Sequence, residues 1–113
     1  MGIIYNEKAK TFTLHTQNTT YQMQIDAYGF LLHLYYGRKI HVCEPLDENA
    51  VAPLIEKHTF QPGNSCVYDR EHDAYTLEDV CLEMSSYGKG DIREPFVELI
   101  YEDGSFSSDF VYE

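Results

Sequence analysis

Apolar and polar residues alternate with a period of two along much of the chain. Phe12 and Leu14 alternate with Thr11, Thr13 and His15, and Tyr21, Met23 and Ile25 alternate with Gln22, Gln24 and Asp26. Successive side chains of a strand point to opposite faces, so this pattern predicts half-buried strands whose Thr and Gln face lies in water. Asp26-Ala27-Tyr28-Gly29 supplies the turn that follows, with Gly29 free to take a positive φ. Leu31 to Tyr36 reads as the return strand, closed by Gly37-Arg38. It is apolar on both faces, which predicts a central place in its sheet. Lys39 to Cys43 reads as a further short strand.

A second hairpin is predicted at the end of the chain. Phe96 to Glu102 and Ser105 to Tyr112 flank Asp103-Gly104, the preferred pair for a two-residue type I′ loop. Pro95 stands at the start of the first arm, where a missing N–H is tolerated. Between the hairpins, Glu44 to Tyr75 is rich in Pro and polar residues and reads as a long loop. In Thr76 to Met84, Leu77, Val80, Cys81 and Met84 recur at helical spacing, and Thr76 with Asp79 resembles a capping box. A turn or two of helix leading into a strand is expected there. The pattern therefore predicts an all-β, antiparallel sandwich with a long central loop and at most one short helix.

Composition places this reading among globular chains. Of 113 residues, 43% are hydrophobic and 24% charged, which excludes a disordered tail. Acids outnumber bases 19 to 8, for a net charge of −11. Nucleic acids and anionic membranes are bound through Lys and Arg, so neither is an expected partner. The start Met1-Gly2-Ile3-Ile4-Tyr5-Asn6-Glu7 has no basic region before an apolar run, and Leu31 to Tyr36 is too short to span a bilayer. Three cysteines, Cys43, Cys66 and Cys81, cannot all pair in one chain. Together these features predict a cytoplasmic protein with reduced thiols.

Candidate chemistry is sparse. The histidines His15, His33, His41, His58 and His72 are too far apart in sequence for a zinc motif, and no metal or cofactor is expected. His33 falls in an apolar strand and is read as a hydrogen-bonded core or interface residue. Asp69, Glu71, His72 and Asp73 are the densest polar cluster, but they lack the glycine and closing Glu of an EF-hand and read as a solvated loop. Cys81 lies in an apolar pattern and is expected to be inert. No residue is assigned as catalytic.

Two segments resemble a known family. Tyr5 to Leu14, Asn18-Thr19-Thr20-Tyr21 and His33-Leu34-Tyr35-Tyr36-Gly37 look like the opening of family 36 glycoside hydrolases, the large bacterial α-galactosidases. Leu82 to Pro95 resembles that family's E-x-x-x-x-G-x-G-D-x-R-x-P signature, with Gly88, Gly90, Asp91, Arg93 and Pro95 in register. The resemblance implies an N-terminal β-supersandwich ahead of a catalytic barrel that holds the two reactive aspartates. No residue here matches those aspartates. It also implies a homo-oligomer, in which a loop of this domain presents an acidic residue to a galactose hydroxyl; Glu56, in Ile55-Glu56-Lys57, is the best match. Asp73-Ala74-Tyr75-Thr76-Leu77 carries Ala74 where the family commonly has arginine.

These readings combine into one expectation. Residues 1–113 are a single-domain fragment, a partial N-terminal sandwich of a larger hydrolase, because the last residues Phe110-Val111-Tyr112-Glu113 still follow a strand pattern. Such a fragment serves scaffolding, oligomer assembly and pocket shaping, and it meets an α-galactoside only in the full-length protein. The alternative is a free-standing sandwich that binds sugar on exposed tyrosines or a protein partner along a sheet edge.

Overall fold

The computed structural model describes residues 2–40, 68–78, 80–88 and 91–113. Four antiparallel strands, β1 (Gly2–Asn6), β2 (Thr11–His15), β3 (Thr19–Ile25) and β4 (Leu31–Arg38), form an open meander in chain order. The fold is all-β, and the described residues contain no helix. β1, which the alternation did not mark, pairs with β2 from Gly2↔His15 to Asn6↔Thr11. The run Ile3-Ile4-Tyr5 ahead of Asn6 is its sequence signal. The loop after β1 closes when Asn6 Oδ1 accepts the Ala9 amide at 3.1 Å and Lys10 turns to φ 50°.

The alternation locates β2 and β3 but inverts their faces. Thr11, Thr13, Thr20 and Gln22 are buried, whereas Phe12, Leu14, Tyr21 and Met23 are half-buried; of the predicted apolar face only Ile25 is buried. The buried polar face is stable because it hydrogen-bonds to itself. Gln22 Nε2 donates to Thr13 Oγ1 at 3.0 Å, and Thr20 Oγ1 contacts His15 Nδ1 at 2.8 Å and accepts the Ile40 amide at 3.0 Å. Such pairing removes most of the cost of burying a hydroxyl or amide.

β4 departs from the simple ladder in two ways. The register jumps from Gln22↔Tyr35 to Met23↔His33, so Leu34 is an extra, bulged residue, and it is buried. The outer side of its first half is joined by the 81–83 segment. His33 N donates to Cys81 O at 2.7 Å, Glu83 N donates to Leu31 O at 2.9 Å, and Leu32 bridges Leu82. The expected central position therefore holds for the first half of β4. The expected helix over Thr76 to Met84 is replaced by this pairing. Thr76 Oγ1 accepts the Glu78 amide at 3.1 Å in a local turn, and the chain then runs extended beside β4. Cys81 is exposed as a result, whereas the helical spacing placed it on an apolar face.

The core gathers where these segments meet. Phe30, Leu32, Tyr75, Leu77 and Val80 are each 3% exposed or less, with Tyr68 and Leu82 packed on them. Burying each such side chain contributes about 1.5–3 kcal/mol.

The turn between β3 and β4 and the turn at 101–105 are of one type. Gly29 N donates to Asp26 O at 3.3 Å and Asp26 N to Phe30 O at 2.9 Å; Gly104 N donates to Tyr101 O and Tyr101 N to Ser105 O, both at 2.9 Å. Gly29 and Gly104 have φ of 90° and 81°. Each is a three-residue loop ending in a left-handed glycine bulge. The second corrects the expected two-residue type I′ loop: Asp103 has no positive φ, and its Oδ1 instead accepts the Ser105 amide at 2.9 Å. The arms beyond this turn, 96–100 and 106–112, form no regular ladder.

Candidate functional site

In the second signature segment Asp91 is turned inward and the exposed Arg93 reaches back across it. Gly88 has φ 106° and forms a bridge with Asp91, whose amide donates to Gly88 O at 3.1 Å. A Cβ on Gly88 would lie 2.1 Å from Ser107 Oγ, so the position needs both the φ and the missing side chain of glycine. Asp91 and Arg93 are not on a common strand face. The Asp91 side chain is fully buried, and its Oδ1 accepts the Arg93 Nε at 2.9 Å and the Arg93 amide at 3.2 Å. The Arg93 guanidinium then donates to Leu77 O at 2.9 Å and to Val80 O. It satisfies two carbonyls that a helix over this segment would have bonded to its own amides. Pro95 is half-buried and outside any strand, followed by the Phe96 and Val97 amides, which donate to Ser85 O at 3.0 and 3.1 Å.

A second constellation, missed by the sequence reading, lies at the β3–β4 turn. Tyr75 packs 4.1 Å from Tyr28 between ring centroids and 6.0 Å from Phe30, and Tyr28 meets His72 edge-on at 4.9 Å. The Tyr75 hydroxyl donates to Asp26 Oδ2, and Tyr68 donates to Asp109 Oδ2 at 2.6 Å. Burial, then the hydrogen bond to Asp26 and its charge, push the Tyr75 phenol well above the usual tyrosine range; burial and Asp109 do the same for Tyr68. His72 Nδ1 lies 2.8 Å from Asp69 Oδ1. Burial raises the Asp69 carboxyl, but the His72 ring and the His72 and Glu71 amides outweigh it and hold it below the usual range. The only sequence signal was the clustering of acids and aromatics over 68–75, which did not reveal Asp26 as their partner.

On the sheet, His33 Nδ1 contacts Glu83 Oε1 at 2.9 Å, joining β4 to the 81–83 segment. Tyr21 leans on the His33 ring at 5.4 Å, and burial followed by its hydrogen bond to Glu83 raises its phenol. In each constellation the ionisable groups are engaged with one another. Among the described residues no group of three His, Cys, Asp or Glu side chains could hold a metal ion. Glu56 and Gly90, with Cys43, Cys66, His41 and His58, lie outside the described residues. No helix among the described residues is long and apolar enough to cross a membrane.

This geometry is that of a braced sheet. Over its whole length the chain is 37% identical to the bifunctional α-galactosidase/sucrose kinase AgaSK of Mediterraneibacter gnavus and 26% identical to the α-galactosidase AgaA of Geobacillus stearothermophilus. It spans only 11% and 14% of those proteins. The crystal structure of the α-galactosidase AgaB from Geobacillus stearothermophilus superposes with a TM-score of 0.79 at 25% identity, over 100% of this chain and 14% of that one. The galactosidase domain of AgaSK superposes with a TM-score of 0.71 at 35% identity, over 99% and 15%. The family profile described as the glycosyl hydrolase family 36 N-terminal domain matches residues 29–113, and the chain belongs to that family.

Proposed function

We propose that this chain is the non-catalytic N-terminal part of a cytoplasmic α-galactosidase-like hydrolase, and that it scaffolds and shapes a galactoside pocket. The observation that carries this reading is the family match over residues 29–113 combined with the small share of each relative that the chain spans. The Asp91–Arg93 pair and the Tyr–Asp pairs suit bracing, since their polar groups are bonded to one another within the chain. On this reading the reactive carboxylates belong to a barrel outside residues 1–113, Glu56 reaches a galactose hydroxyl only in an assembled homo-oligomer, and no cofactor takes part.

The test is an assay of the pure chain on a chromogenic α-galactoside. No turnover above the buffer rate is expected, and saturable turnover overturns the proposal. In the full-length enzyme, Glu56→Gln is expected to raise KM more than it lowers kcat, as removal of a ground-state contact does. An unchanged KM would remove Glu56 from the pocket.

A further inference from the structure

We propose that Met84 is an oxidation site, and that a hydroperoxide acting there releases residues 110–112 from the sheet. Met84 is 43% exposed, whereas Met23 is half-buried between Phe12 of β2 and His33 of β4. An oxidant in solution meets an exposed thioether first. Met84 also has a specific place in the fold. Together with Leu82, with Phe30 and Leu31 where β4 begins, and with residues 110–112, it lines an apolar cavity of about 170 Å³. A thioether suits such a wall, because it is apolar, flexible and polarizable and packs well on aromatic rings.

The step is a two-electron oxygen transfer. The Met84 sulfur attacks the outer oxygen of the hydroperoxide, an S–O bond forms as the O–O bond breaks, and the hydroperoxide's proton ends on the departing alkoxide. Sulfur is oxidised, the peroxide is reduced to an alcohol, and the thioether becomes a polar sulfoxide. A polar group then stands in one wall of the cavity, and residues 110–112 form another. These residues are held by Tyr112 N, which donates to Gly29 O at 2.8 Å, and by the Tyr112 ring, 5.8 Å from that of Phe12. Nearer the 101–105 turn the attachments are polar. Ser108 N donates to Tyr87 O at 3.1 Å, Ser86 Oγ donates to Ser108 O at 2.6 Å, and Tyr68 donates to Asp109. Ser108 and Asp109 do not line the cavity, so the release is confined to 110–112.

Limited treatment of the folded chain with tert-butyl hydroperoxide tests this, read by peptide mass mapping and by amide exchange in NMR. Met84 should be oxidised at least about threefold faster than Met23. The Tyr112 amide should then exchange at least about fivefold faster, while the Ser108 amide keeps its rate. Methionine sulfoxide reductase should restore Tyr112 protection in the same unchanged chain. Met84→Leu, treated alike, should keep that protection throughout, which separates the thioether from the cysteine thiols. Faster oxidation of Met23, unchanged Tyr112 exchange in the Met84 sulfoxide, or equal loss of protection at Ser108 would each overturn the proposal. So would failure of the reductase to restore Tyr112, or loss of its protection in peroxide-treated Met84→Leu.

Discussion

Arg93 and Asp91 meet at 2.9 Å, the carboxylate fully buried and the arginine side chain 41% exposed. From that anchor the guanidinium reaches the carbonyls of Leu77 and Val80, two residues of the core. A charged group from one loop thus terminates the backbone of another, and Asp91 sets its direction. Arg93→Ala is expected to lower stability by about 2 kcal/mol, because it leaves two carbonyls without their donor and the buried carboxylate with only the residue 93 amide. Arg93→Lys should recover little, since an ammonium cannot reproduce a planar fork shared among three acceptors. Urea midpoints check both. A double-mutant cycle with Asp91→Asn should return a coupling above about 0.5 kcal/mol.

Gly88 answers a different constraint. With φ 106° and Ser107 Oγ at 2.1 Å from an added Cβ, Gly88→Ala carries both strain and a clash. It is expected to cost about 1–3 kcal/mol for the backbone alone. Adding Ser107→Gly should recover the clash and leave the strain. Thermal melts of the single and double variants separate the two parts.

Stability should fall at alkaline pH. The Tyr75 phenol is raised by burial and by Asp26, and the Tyr68 and Tyr21 phenols are raised likewise. A group whose folded pKa is raised stabilises fully below its unfolded value and loses that contribution as pH rises. Unfolded tyrosine titrates near about 10, so the loss begins there. Urea midpoints measured from neutral pH upward, with tyrosinate absorbance recorded in parallel, should drop together. Tyr75→Phe should flatten the dependence and, at neutral pH, cost about 1–2 kcal/mol for the lost hydroxyl.

At acid pH the sign reverses. The Asp103 carboxyl is held down by the Ser105 side chain and amide, and Asp69 is held down by His72 despite its burial. Depressed carboxyls stabilise above their unfolded pKa, near about 3.9, and the contribution is lost as pH falls through the folded value. Asp103→Ala should therefore weaken the acid dependence without moving the alkaline limb. Amide exchange at Ser105 reports the local turn.

Much of this fold was legible in the chain and some was not, for reasons that lie in particular residues. Period-two alternation located β2 and β3, a short run apolar on both faces located β4, and Gly29 and Gly104 marked the turns that follow β3 and Tyr101. Alternation says which residues share a face, not which face is covered; Thr13 and Gln22 are buried because they satisfy one another. The helical spacing of Leu77, Val80 and Met84 was real, but the open edge of β4 and the reach of Arg93 offered the backbone better partners than its own amides. Gly88, Asp91 and Arg93 were visible as a signature, and the burial of Asp91 was not. Asp26 as the acceptor for Tyr75 lies 49 residues away in sequence, beyond any local pattern.

The bond between Gln22 and Thr13 has a consequence for how the strands find one another. On β2 and β3 most apolar side chains are half-covered while Thr13 and Gln22 are enclosed, so hydrophobicity alone would tolerate a slip of two residues almost as well as the native alignment. Such a slip would strand the amide of Gln22 away from its hydroxyl inside the protein. The side chain that seemed destined for water thus serves as the key that fits only one notch.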